Sequence, residues 1–284
     1  MLELTGLGSV LRGIGVLYWL AALAFLIGAV MSPRTRAGKA IAVAITLAAF
    51  AYLPGSDYVE QQKRAAFERE AWAYFKNKCA TEAGEKIYKT FSGVKSVLVV
   101  KPLPPATEKD LYDQFWYGDP YSASAHSNRG NAAADTLLGP SPISTLSTSG
   151  FDFVEIKNID AGQVQFKVLK RDQDDARKTL ESTIEQPASR FGLAWEDISR
   201  PEDRQYWVAG SKFSILDLAT NGVVAERIGF YIESGFGSPG GQRRPWLTSR
   251  GPNTTCPSIQ NGTFEDRIFV LRVLRSGQGL KDGK

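Results

Sequence analysis

Two long apolar runs stand at the start of the chain, separated by the short basic link Pro33-Arg34-Thr35-Arg36-Ala37-Gly38-Lys39. The first, Gly13 to Met31, holds nineteen residues without a charge and at about 1.5 Å per residue nearly covers the roughly 30 Å hydrocarbon core of a bilayer. Arg12 precedes it and Ser32-Pro33 stops it. Tyr18 and Trp19 lie toward its first end, where aromatic side chains favour the interface. The second run, Ala40 to Pro54, has fifteen Ala-rich residues that reach only about 22 Å, so local thinning or flanking residues must complete a span. A cleavable signal peptide fits poorly, because the first run is longer than a usual signal core and a second follows almost at once.

The pattern after Gly55 is that of an aqueous domain. Trp72, Phe75, Cys79 and Ala83 recur at helical spacing among polar residues, which predicts a membrane-proximal helix from Asp57 to about Thr90, with Gly84 kinking or ending it. A short strand is expected at Ser96 to Lys101, closed by Pro102-Leu103-Pro104-Pro105. Thr107-Glu108-Lys109-Asp110 resembles a capping box opening a helix through Trp116. Residues 117–150 show no periodicity and read as a long loop.

From Phe151 the alternation is that of strands. Residues 151–156 and 164–170 predict a hairpin, 172–190 is ambiguous between helix and loop, and 191–195 and 206–211 are short strands on either side of a turn at Arg200-Pro201. A second hairpin is expected over Lys212 to Glu233, turning at Asn221-Gly222. A Gly/Pro-rich loop, 235–257, precedes a last strand at Arg267 to Leu274. The expected fold class is α+β: an N-terminal transmembrane helix hairpin (1–54, helices about 13–31 and 40–54), then a soluble domain. That domain combines a membrane-proximal helical segment (55–116), the loop 117–150 and a mainly antiparallel β-sheet in 151–284.

Charge adds an orientation. Arg34, Arg36 and Lys39 form the densest basic excess beside either apolar run, so the link is expected to face the cytoplasm, with both termini outside it. The expected location is therefore the inner (cytoplasmic) membrane, multi-pass, with the large C-terminal domain periplasmic. If the second run does not span, that domain is cytoplasmic instead. The whole chain is +4, but 1–54 holds four of the 34 basic residues and one of the 30 acids, leaving 30 against 29 for 55–284. A balance so even argues against a nucleic-acid partner.

The two cysteines, Cys79 and Cys256, are far apart in the aqueous part and are expected to form one disulfide if that part lies in an oxidising compartment. With the single His126 they make no metal-ligand cluster, and no metal or other cofactor is expected. His126 lies near Asp119, Tyr121 and Arg129 in the 117–150 loop without a catalytic pattern around it. The adjacent acids Glu196/Asp197 and Glu202/Asp203 lack the separation across a cleft that glycoside hydrolysis requires. The one candidate ligand site is Arg243, Arg244 and Arg250 in the 235–257 loop, with free backbone amides, for an anionic group.

These features predict a non-enzymatic, membrane-anchored extracytoplasmic domain whose partners are the lipid bilayer and an envelope protein or polymer. One alternative is an envelope hydrolase with a site between loops 117–150 and 235–257. The other is a subunit of an oligomeric membrane assembly, self-associating through helices in which Gly13, Gly15, Ala21, Ala22 and Ala24 permit close contact.

Overall fold

The computed structural model describes residues 4–31, 33, 35–101, 107, 109–116, 136–138, 150–160, 163–175, 178–237, 245–247, 253–257 and 265–276. The chain divides into two compact units, Met1–Arg69 and Glu70–Lys284.

The first unit holds helix α1, Leu4–Met31, and most of helix α2, Arg36–Thr81. Thr35 caps α2, its hydroxyl accepting from Gly38 N at 3.1 Å. Tyr18 Oη donates to the Phe50 carbonyl at 2.5 Å, and the Phe50 ring meets Tyr18 and Phe25 at 5.4 and 5.7 Å, so the two helices are tied by aromatic packing. A groove of about 610 Å³ between them is lined by Ala24, Phe25, Gly28, Ala29, Ala42, Ile45 and Thr46. Among the described residues no single helix is long and apolar enough to cross a membrane. The apolar helix 15–31 is shorter than a span, and the segments 36–52 and 55–81 reach the required length and composition only as a pair bent by 40°.

Two boundaries differ from expectation here. α2 continues through Pro54 instead of stopping there, and it ends at Thr81, not near Thr90. The residues after it form two four-residue strands, β1 (Gly84–Ile87) and β2 (Phe91–Val94), too short for any periodicity to show.

The second unit is built on a mixed sheet. Its strands are β3 (Ser96–Lys101), β4 (Phe153–Asp160), β5 (Gln163–Arg171), β6 (Thr179–Ile184), β7 (Phe191–Asp197), β8 (Val208–Asp217) and β9 (Gly222–Ile232), with the two-residue β10 (Thr255–Cys256) on β9. The order is β1-β9-β8-β7-β3-β4-β5-β6. Outer neighbours are antiparallel, as expected, but central β3 runs parallel to both β4 and β7. Its run Val97-Leu98-Val99 is buried on both faces, which is why it reads as a continuous apolar stretch and not an alternating one.

Helix α3 (Pro201–Gln205) replaces the expected turn at Arg200-Pro201, and helix α4 (Glu265–Val273) replaces the expected last strand, leaving only β11 (Leu274–Ser276), parallel to β2. α4 packs Phe269, Val270 and Val273 against the sheet face formed by Val97, Val154, Leu193, Trp195, Phe213 and Ile215. The ambiguous 172–190 stretch contains strand β6. After β6 the chain crosses the opposite sheet face. There the buried Glu155 carboxylate accepts from Ala188 N and Ser189 N at 2.9 and 2.8 Å, and Ser189 Oγ donates to Ser96 Oγ at 2.8 Å.

The Asn221-Gly222 turn is as expected, with Asn221 at φ 53°, a conformation that Asn tolerates better than most residues. The Thr107 box also forms, the Asp110 carboxylate accepting from Thr107 N at 2.8 Å, but it caps only one 3₁₀ turn, Asp110–Tyr112.

Candidate functional site

Within the second unit, polar and charged side chains become buried where the last turns of α2 meet α3. Ala71, Phe75 and Lys78 follow each other by four and three residues, so they share the face of α2 turned into the protein, and all three are buried. Lys78 is thus carried inside on an apolar stripe. Its Nζ lies 2.9 Å from Glu82 Oε1 and 3.3 Å from Asp203 Oδ1, and 5.0 Å from the centre of the Phe230 ring.

Asp203 owes its place to local sequence. Pro201 fits the first position of a helix, and an acid at the third position reaches back to the N-cap amide, here Arg200 N to Asp203 Oδ2 at 2.7 Å. Its other oxygen accepts from Tyr74 Oη at 2.6 Å. Burial first, and the Asp203 carboxylate second, push the Tyr74 phenol well above its ordinary range, so it stays protonated and serves as a donor, not a base. Tyr74 stacks on Tyr206, with ring centres 4.7 Å apart.

The next residue, Arg204, continues the network. Its Nη2 lies 2.8 Å from Asp197 Oδ2 and its guanidinium sits 4.8 Å from the Trp246 ring. Trp246 in turn donates through Nε1 to the Asp113 carbonyl at 2.6 Å, and Gln114 Nε2 donates to the carbonyls of Arg204 and Gln205 at 2.7 and 3.1 Å. Ala209, Tyr231 and Trp246 are buried together, with Trp116 and Trp207 packed against them. Buried Glu233 accepts from Gly235 N and Gly237 N, both at 3.0 Å, which shapes the start of the 235–257 loop.

The cystine lies beside this node. Cys79 on α2 bonds Cys256 on β10, S–S 2.02 Å, as the two-cysteine count predicts. Because Cys256 pairs with Phe230, consecutive α2 residues Lys78 and Cys79 are both fixed to the same point on β9.

A second ionic chain fixes α4. Arg227 Nη1 lies 3.1 Å from Asp266 Oδ1, Trp195 Nε1 donates to Asp266 Oδ2 at 3.0 Å, and Glu85 bonds Arg272 and lies 3.7 Å from Arg227.

Arg243, Arg244 and Arg250, the expected anion site, lie outside the described residues, as do His126, Asp119, Tyr121 and Arg129. Neither pair of adjacent acids acts together. Asp203 is buried and Glu202 exposed, while Asp197 serves Arg204 and Glu196 reaches toward Lys101 at 4.0 Å. Among the described residues no group of three or more His, Cys, Asp or Glu is placed to hold a metal ion. Sequence reasoning missed Tyr74, Lys78, Arg204, Glu233 and Trp246. The available signal was Lys78, a cation at the helical spacing of Ala71 and Phe75. Among the described residues the node's cations and anions face one another.

Compared with known proteins, the chain matches no family model, no curated protein and no solved structure.

Proposed function

We propose that the chain is a membrane-anchored domain outside the cytoplasm that binds or scaffolds an envelope protein or polymer without catalysing a reaction. The observation that carries this reading is the Cys79–Cys256 bond, because disulfides persist in oxidising compartments and are rare where thiols are kept reduced. The basic link between two apolar runs supports an inner-membrane, multi-pass anchor with the lipid bilayer as its first partner. Mutual neutralisation of Lys78, Glu82 and Asp203 supports a structural node, since a charge engaged by its neighbours is poorly available to a substrate.

Two other readings each rest on one feature. The Trp246 to Asp113 hydrogen bond brings the middle of the 235–257 loop beside the segment leading into the 117–150 loop, as an envelope hydrolase with a site between them would need. The groove lined by Ala24, Gly28 and Ala42 suits close helix packing in an oligomeric membrane assembly.

Labelling the cysteines in intact cells with a membrane-impermeant maleimide, with and without prior reduction, tests the leading reading. Labelling that appears only after reduction supports an external, bridged domain. Labelling that appears only after lysis, with no need for reductant, overturns both the location and the envelope partner.

A further inference from the structure

Among the described residues, the sheet ends differently on its two sides. At one end β1 is only four residues long and carries Lys86, a short charged edge of the kind that resists further pairing. At the other end β6 is six residues long, lacks Pro, Lys and Arg, and pairs with β5 without a bulge. Its Leu180 is 46% exposed, and Ser182 and Thr183 are exposed beside it. We infer that β6 pairs antiparallel with β6 of a second copy of this chain, about a two-fold axis at Ser182, so that two sheets join into one.

The register follows from face and charge. Opposed residues in an antiparallel pair share a sheet face, so the two-fold axis must place one residue opposite its own copy. Centring on Ser182 sets Leu180 opposite the partner's Ile184, Glu181 opposite the partner's Thr183 and Lys178 opposite the partner's Gln186. Centring on Glu181 sets two carboxylates face to face, and centring on Thr183 sets Glu181 opposite the partner's Glu185. Like charges directly opposite destabilise a strand pair, whereas an aliphatic pair stabilises it. Ile184 also lies opposite Phe166 on β5, so the partner's Leu180 would extend an existing apolar row. This pairing needs no membrane and stands apart from the envelope reading.

The test uses the full-length chain in detergent, carrying Ser182→Cys or Thr179→Cys and treated with a short bis-maleimide. The described cysteines are both bridged, so the wild type gives no crosslink. Cα atoms across the axis would be about 5 Å apart at 182 and about 20 Å at 179, so dimer yield at 182 should exceed that at 179 by about tenfold. Adding Leu180→Lys to Ser182→Cys should lower the yield about fivefold, and light scattering of the wild type should give the mass of two chains. Equal yields at 182 and 179, a yield unmoved by Leu180→Lys, or a single-chain mass would overturn the pairing.

Discussion

Lys78 Nζ lies 3.3 Å from Asp203 Oδ1, with side chains 5% and 0% exposed. The pair joins α2 to α3 across 125 residues of sequence and out of reach of water. Removing the cation leaves a buried carboxylate supported only by Tyr74 and the Arg200 amide. Lys78→Met is therefore expected to cost about 3 kcal/mol of stability, whereas Lys78→Met with Asp203→Asn should recover a large part of it. Denaturant midpoints of the two variants check this. A double variant as unstable as the single one would show that the pair does not act as a unit.

The cystine closes a loop of 177 residues. In the chain-entropy model a loop of that length stabilises by about 5 kcal/mol, through the unfolded ensemble. Cys79→Ser together with Cys256→Ser should lower the unfolding free energy by roughly that amount, and adding reductant to the wild type should reproduce the loss. Urea unfolding with and without reductant reads it directly. A midpoint that does not move would mean that the ion pairs and packing around Lys78 hold α2 without the bridge.

How much of this was legible depended on whether an element's pattern had one solution. Ser96 to Lys101 did, since a short Val-rich run closed by prolines suits only a buried strand, and the observed bounds coincide. Residues 267–274 had two solutions. Their apolar positions fit alternation as well as a helical stripe. The helix wins because Phe269, Val270, Val273 and Leu274 all reach the core while Ile268 is left 43% exposed, a division that alternation cannot produce. β6 was hidden by the charged residues before it and by side chains exposed on both faces, which remove the period-2 signal. The node was illegible for a different reason. Tyr74 and Asp203 are 129 residues apart, and no local pattern announces so distant a partner.

Asp217 sits at the turn end of β8, where Arg190 Nη2 lies 2.7 Å from its carboxylate. The Arg190 hydrogen bond holds this carboxyl below its usual range. A lowered native pKa contributes stability that is present above the unfolded pKa, near 4, and is lost as pH falls through the native value. Arg190→Gln should therefore be less stable than wild type at neutral pH, with the gap closing on acidification below about pH 4. Thermal unfolding between neutral pH and acid tests the sign. A gap that widened on acidification would contradict the assignment.

Gly237 shows where a backbone position admits one residue. Its φ is +68°, and a Cβ built on it would stand 2.3 Å from the Trp207 ring, itself on a backbone at φ 55°. The ring also packs on Trp246, 5.4 Å between ring centres, which limits its freedom to move. Gly237→Ala combines left-handed strain with overpacking and is expected to cost about 2 to 4 kcal/mol. The loss should be accompanied by a change in tryptophan fluorescence, because relief requires Trp207 to move. Gly235→Ala is the control, since Gly235 shows no such positive φ and its amide still donates to Glu233. Equal losses at 235 and 237 would show that the Trp207 contact does not set the cost.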